Sequence, residues 1–423
     1  MAVTIQTSIN DVMALQQPFV LTASSTKTGQ PKMRFVMTVE VDGVQEIKVK
    51  QQPNQNDYVH FDLYRILKTY LSPKFEESSE DIHEILTACS GDDISRYIEI
   101  DIYEEYSTSS TTNPTEYPAD GDSVNFITFN STFQFTDGVT PTLPNVYEFN
   151  NDATEISWLS KMPTILKTRA GEYQSAAILA SAFEGTVDSA LRVKYTFFEA
   201  DGTQISTTNV TRLTIGMEEF ISTKSTVNAP KLFQFIPVGY QNLEDQSFNA
   251  NVKPSANANL SYYTVQVFDN SVNPYNTKTY RFDVADCYKY TPVQLAWVNE
   301  LGSWDYYTFE LASIEKLNIQ RDTIRKAYGN WASAAAFSYE KYERGEDVIK
   351  IEADKEYTVN SDWLEDSDFV WLQSLLMSKE VQVYLEDEWL PVIITDNNYQ
   401  FKKSVNNKLN QLSLSYKLSH KTR

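Results

Sequence analysis

The sequence predicts a mainly β, multidomain protein: β-sandwich (Ig-like) domains followed by an α+β C-terminal module with antiparallel sheet. Three observations carry that expectation. Tyr (26) and Phe (22) stand among abundant Thr, Ser and Asn, a mixture suited to pleated, half-buried surfaces. Apolar residues recur with a period of two in one segment after another. Asp-Gly pairs then separate such runs at hairpin positions. A length of 423 residues exceeds one ordinary core, so roughly two to four domains are expected.

The first domain is expected over residues 1–110. Pro18 to Ala23 reads as a short strand and residues 24–31 as a polar turn. In KMRFVMTVEV, residues Met33, Phe35, Met37, Val39 and Val41 share one face of a half-buried strand. Asp42-Gly43 turns the chain into its partner, VQEIKVK. Asp62 is placed to cap a helix whose Leu63, Ile66, Leu67, Tyr70 and Leu71 form one stripe. Ile98, Ile100 and Ile102 alternate with Glu99, Asp101 and Tyr103 in a closing strand. Residues 107–122, polar and punctuated by Pro114 and Pro118, read as a linker or ordered surface loop, with the boundary drawn at 111–123.

Residues 124–286 are expected to form a second β-sandwich. VNFITFNSTFQF opens it. LRVKYTFFEADGTQI then places Leu191, Val193, Tyr195 and Phe197 on one face and turns at Asp201-Gly202. Tyr263, Val265 and Val267 repeat the pattern, as do Tyr280, Phe282 and Val284. SAAILASAF, from Ser175, suits a helix or a buried strand equally.

Residues 287–423 form the α+β module. Two aromatic strands flank residues 299–302 as a hairpin. A helix follows in SDWLEDSDFVWLQSLLMS, with Ser361 or Asp362 as cap and Leu364, Val370, Leu372, Leu375 and Leu376 on its apolar side. VQVYLEDEWLPVIIT is a second hairpin turning near Glu386-Asp387. Leu412, Leu414, Tyr416 and Leu418 mark a last strand.

The net charge of -21 argues against direct nucleic-acid binding and against anionic membranes. The acidic stretch from Glu76 to Asp122, with Arg96 as its single base, reads as a solvated face, with Ca²⁺ or a basic partner as the lesser options. Cys89 and Cys287 are too few for a disulfide framework, and a reducing compartment of synthesis fits. The N-terminus lacks a signal-peptide layout, and no apolar run approaches a membrane span, so a soluble chain made in a cytosol is expected.

Catalytic signatures do not emerge. His60, His83 and His420 lack partners at zinc spacing. No nucleophile elbow, P-loop or dinucleotide-binding glycine fingerprint occurs. Carboxylate pairs such as Glu76-Glu77, Asp92-Asp93 and Glu386 with Glu388 are the chance expectation in a chain holding 57 acids. Asp120, Asp122 and Asp396 match no Ca²⁺ loop and suit turns better. No catalytic, metal or cofactor-binding residue is assigned, and no cofactor is expected.

The densest signal is CYKYTPVQLAWVNELGSWDYYTF, from Cys287 to Phe309. Trp297, Trp304, Tyr306 and Tyr307 suit a sugar-stacking platform, plain core, or a subunit contact. Trp and Tyr on both faces favour the contact, since their polar ends want water or hydrogen bonds. Trp304, Tyr306, Tyr307 and Trp389 are the contact residues singled out.

The opening, PFVLTASSTKTGQPKMRFVMTVEVDGVQEIKVKQQP with FDLYRILKTYL, resembles structural proteins of tailed phages infecting Bacteroidetes. So do the aromatic block and the ending TVNSDWLEDSDFVWLQSLLMSKEVQVYL…WLPVIITD…LNQLSLSYKLSHKTR. The resemblance implies a non-enzymatic virion protein of the tail, baseplate or head-tail neck, present in many copies. Its implied partners are further copies of itself and neighbouring tail or connector proteins. It would be synthesised in the host cytoplasm and reside in the virion. A host-surface glycan adhesin is the alternative, and a tail-associated hydrolase the lesser one.

Overall fold

The computed structural model describes residues 2–7, 9, 12–15, 18–71, 94–131, 155–156, 158–179, 191–213, 233–245, 252–268, 276–285, 289–329, 337–396 and 411–420. The fold is mainly β, with 55% of the described residues in strands and 8% helical. Two compact units divide the chain. Met1–Cys287, Trp297–Tyr306 and Trp371–Ser378 form the first; Tyr288–Ala296, Tyr307–Val370 and Lys379–Arg423 form the second.

The first unit begins with β1 (Val3–Ile5), β2 (Val12–Ala14), β3 (Val20–Ser25), β4 (Arg34–Val41), β5 (Val44–Gln51), β6 (Tyr58–Asp62), β7 (Ser95–Tyr106) and β8 (Thr115–Phe129). They build a three-stranded sheet, β1-β3-β6, and a five-stranded sheet, β2-β8-β7-β4-β5. One core joins the two: Leu21, Ala23 and Phe61 from the smaller sheet meet Phe35, Met37, Val39, Ile98, Ile100, Ile102 and Phe126 from the larger. Each of these side chains except Ala23 stabilises by roughly 1.5–3 kcal/mol over an exposed position. The Asp42-Gly43 turn places both residues at positive φ, 51° and 81°, as a two-residue hairpin loop requires.

Three details differ from the sequence reading. Strand β4 is covered on both sides at its centre, where Val36 and Thr38 are buried beside the expected face. The helix at Asp62 is a single turn, α1 (Tyr64–Leu67), and Asp62, still in β6, accepts the Tyr64 N–H at 3.1 Å. The stretch read as a linker holds no domain boundary: from Thr115 it is strand β8, which pairs with β7 through Ser95↔Phe129 and Tyr106↔Thr115. Phe126, Ile127 and Phe129, expected to open the second sandwich, therefore complete the first sheet. Asp122 is used structurally, its carboxylate accepting the Ile5 N–H at 2.9 Å.

The same unit continues with β9 (Glu155–Ile156), β10 (Ile165–Thr168), β11 (Ser175–Leu179), β12 (Leu191–Phe198), β13 (Gln204–Leu213), β14 (Phe233–Pro237), α2 (Tyr240–Glu244), β15 (Tyr262–Phe268), β16 (Asn276–Thr277) and β17 (Tyr280–Val284). Five strands run β10-β17-β15-β12-β13, with β16 and β9 attached beside β15. Val193, Tyr195, Phe197, Tyr263, Val265, Val267, Tyr280 and Phe282 are buried, so the period-two faces hold. Strands β11 and β14 form a separate pair, buried along their whole length. The Ser175 segment is thus a buried strand rather than a helix as far as Leu179, and its remainder lies outside the described residues. Two tyrosines tie the layers: Tyr195 donates to the Pro237 carbonyl at 2.9 Å and Tyr263 to the Val238 carbonyl at 2.6 Å.

The remaining strands are β18 (Val293–Val298), β19 (Trp304–Phe309), β20 (Ile314–Arg325), β21 (Glu346–Asn360), β22 (Val381–Leu385), β23 (Glu388–Ile394) and β24 (Ser413–Leu418), with helix α3 (Asp366–Met377) between β21 and β22. The sheet order is β19-β18-β22-β23-β24-β21-β20. The β22–β23 turn places Glu386 and Asp387 at φ 52° and 63°, a left-handed pair without glycine. Helix α3 begins later than expected, and neither Ser361 nor Asp362 caps it. Ser361 is buried instead and accepts the Leu412 N–H at 2.8 Å. The buried side of α3 is carried by Phe369, Leu372 and Leu375, whereas Val370 is exposed.

Candidate interaction surface

The aromatic hairpin faces inward. Trp304 is 1% exposed and Tyr306 3%, and Trp297 is fully buried. The polar ends of Trp297 and Tyr306 are satisfied within the first unit. Trp297 Nε1 donates to Ser374 Oγ at 2.8 Å, Tyr306 Oη shares a hydrogen bond with Ser175 Oγ at 2.8 Å, and the Trp297 and Trp371 rings lie 5.3 Å apart. At the turn, Asn299 Oδ1 accepts the N–H groups of Leu301 and Ser303, while Asn299 Nδ2 donates to the Leu159 carbonyl and to Asp305 Oδ1. Gly302, at φ 86°, sits so close to the Asn130 carbonyl that any Cβ would overlap it.

This corrects the expected subunit contact at Trp304 and Tyr306, and with it the sugar platform: rings without exposed area stack on nothing outside the chain. The inference failed because the hydrogen-bond partners of these rings, Ser175 and Ser374, lie far away in sequence. Tyr307 is half-buried, with Phe309 edge-on at 5.0 Å, and burial raises its hydroxyl above the ordinary tyrosine range. Trp389 is half-buried on β23, its ring 5.1 Å from Tyr384.

Asp305 is the strongly perturbed acid of this cluster. Burial pushes its carboxyl up to about 6, against the stabilising hydrogen bonds from Ser160, Trp371 and Asn299. Trp371 Nε1 reaches Asp305 Oδ2 at 2.6 Å. A raised folded-state pKa means that the native chain holds a proton the unfolded chain has released. The stabilising contribution is therefore present below about pH 4 and is lost as pH rises through about 6. The difference is roughly 3 kcal/mol. Urea unfolding of the wild type and Asp305→Asn should show the wild-type advantage shrinking by that amount between pH 4 and pH 7; parallel profiles would refute this origin.

Surface of the opposite character lies where no element was assigned from the sequence. Strands β20 and β21 pair from Ile314↔Thr358 to Arg325↔Glu346, and among the described residues β21 meets β24 only through Tyr357–Asn360. Beyond that point the two strands run on as a ribbon, and none of the described residues from Leu317 to Lys355 is buried. Directly opposed residues share a face. One face carries Leu317 with Lys355, Ile319 with Ala353, Arg321 with Ile351 and Thr323 with Val348. The other carries Lys316 with Glu356, Asn318 with Asp354, Gln320 with Glu352 and Asp322 with Lys350. The second face is held by charge: Lys316 lies 3.5 Å from Glu356 and Lys350 2.6 Å from Glu352. The first mixes exposed Leu317, Ile319, Ile351 and Val348 with Arg321 and with Lys355, which pairs with Glu315 at 2.6 Å; Ile349, in the bulge of β21, is 68% exposed.

The ribbon's far end adds rings. Tyr328, Phe337 and Tyr339 pack mutually with centroids 5.9 to 6.2 Å apart, all exposed, and Tyr342 is 81% exposed nearby. Gly329, at φ 80°, lets the chain turn against Phe337, and Glu343 accepts its N–H at 2.5 Å. The alternation of Leu317 with Ile319 and of Ile349 with Ile351 and Ala353 was the available sequence signal.

The polar chemistry is sparse. Among the described residues no three His, Cys, Asp or Glu side chains gather as a metal site. His60 bonds Thr22 and Asn54 on an exposed strand face, and Asp396 accepts the Ser415 N–H at 2.5 Å. His83, both cysteines, Glu76-Glu77 and Asp92-Asp93 lie outside the described residues. No helix among the described residues is long and apolar enough to cross a membrane.

No protein-family model matches the chain, and neither does any curated protein. Among solved structures, squid arrestin is similar at 8% identity over 67% of this chain and 98% of arrestin, with a TM-score of 0.14. A mutant Salmonella alpha-2-macroglobulin is similar at 9% identity over 98% of this chain and 27% of its own, with a TM-score of 0.16. Scores this low carry no argument about fold or role.

Proposed function

We propose that the chain is a non-enzymatic structural protein of a bacteriophage virion, a multi-copy ring or sleeve subunit of the tail, baseplate or head-tail neck. It works by adhesion to further copies and to neighbouring tail or connector proteins. The observation that carries this reading is the β20–β21 ribbon, which exposes Leu317, Ile319, Ile349, Ile351 and a group of rings between charged residues. Exposed apolar groups clustered in this way, bordered by charge, mark a contact with protein. The resemblance of the opening, the aromatic block and the ending to phage structural proteins supports the virion as the setting. Quantitative mass spectrometry of purified particles tests it. The chain should be present in multiple copies per particle. Its absence from particles, or turnover of a polysaccharide or peptidoglycan by the purified chain, would overturn the reading.

A further inference from the structure

Among the described residues strand β20 is the outermost strand of its sheet, and none of them pairs with the other side of its backbone over the Ile314–Arg325 length. A long exposed edge is a template for strand addition, and natural proteins usually blunt it with a proline, a bulge or unmatched charges. Here β20 has no proline, and the bulge of the pair falls on β21, between the partners of Asp322 and Thr323. Its charges are of both signs, Glu315, Lys316, Arg321, Asp322 and Arg325, in a chain of net charge -21. They are also spaced in a particular way.

We propose that β20 is where a second copy of this chain adds, edge to edge and antiparallel, in the register centred on Ile319. This rests on the assembly reading above and names one of its contacts. A two-fold axis normal to the sheet places residue i opposite residue 638 − i, so that like faces stay together. Ile319 then meets its own copy. Lys316 meets Asp322 of the other chain, and this occurs twice. Ile314 meets Ile324, also twice, Asn318 meets Gln320, and the Leu317 side chain lies along the aliphatic stem of Arg321. Centring on Asn318 would pair Glu315 with Arg321 and Leu317 with Ile319, but Glu315 is already engaged by Lys355 at 2.6 Å, whereas Lys316 lies 3.5 Å from Glu356, and Ile314 would face Asp322. Centring on Gln320 sets Lys316 against Ile324. The chosen register also brings Leu317 and Ile319 of both copies together on one face. A contact of this type closes after two copies, so it links two layers of an assembly and leaves the aromatic end of the ribbon for other neighbours.

The test uses the full chain and two independent readouts. Mass photometry and light scattering should show a concentration-dependent dimer. Lys316→Asp or Asp322→Lys alone sets like charges opposite each other at two places and should weaken it by about tenfold or more. The double reversal should restore it, with thermal melting unchanged throughout. Ile319→Cys should give a covalent dimer on mild oxidation, with the disulfide mapped to position 319 in both copies, since opposed Cα atoms at ~4.5–5.5 Å suit that bond. A chain that stays monomeric, single reversals that dimerise like the wild type, or no linkage at position 319 would each overturn the pairing. Particles containing many copies with β20 unpaired would remove this inference and leave the virion reading standing. Dimers formed through Ile319 by a chain absent from particles would do the reverse.

Discussion

Trp304→Ala should cost about 3–5 kcal/mol of stability, the range for emptying a fully buried aromatic site, with little direct effect on the outer surface. Trp304 is 1% exposed and stands in the strand that carries Asp305 and Tyr306 inward. The cavity would open beside Asp305, whose carboxylate is held by Trp371 and Asn299, so the hydrogen-bonded cluster would loosen with it. Denaturant unfolding measures the effect directly. A variant that unfolds like the wild type while failing to assemble would mean that the ring is a contact residue after all.

Excising Leu317–Lys355 and joining Lys316 to Glu356 through an Asn-Gly turn should do the opposite. None of the described residues removed is buried, and the pairing of Tyr357–Asn360 with β24 stays in place. The melting temperature should stay within a few degrees of the wild type, roughly the shift of a 1 kcal/mol change. Incorporation into particles should fall below detection. A shortened chain that still assembles at wild-type levels would place the adhesive surface elsewhere.

These two predictions follow the line between what was legible in the residues and what was not. Hairpins announced by local chemistry were readable: Asp42-Gly43 and Asp201-Gly202 supply the glycine that a tight turn needs. One-sided strands such as the Tyr263, Val265, Val267 run were readable because burial on a single face imposes the period of two. Strand β8 was not. Its first half is polar and contains Pro118, and its identity comes from pairing with β7, a partner brought near by tertiary structure. The ribbon was missed for a related reason, since strands open to solvent on both sides tolerate charge on either face. The aromatic hairpin was located correctly and its role inverted: composition announces that indole and phenol groups need polar partners, whereas only the fold reveals that Ser175 and Ser374 provide them.

The central claim is that this chain acts by contact through its ribbon and not by chemistry. Electron cryo-microscopy of the intact particle tests it most directly. The account predicts several copies per particle, each with the β20–β21 ribbon covered by protein. A particle without the chain, or one in which every ribbon stands in solvent, would contradict it.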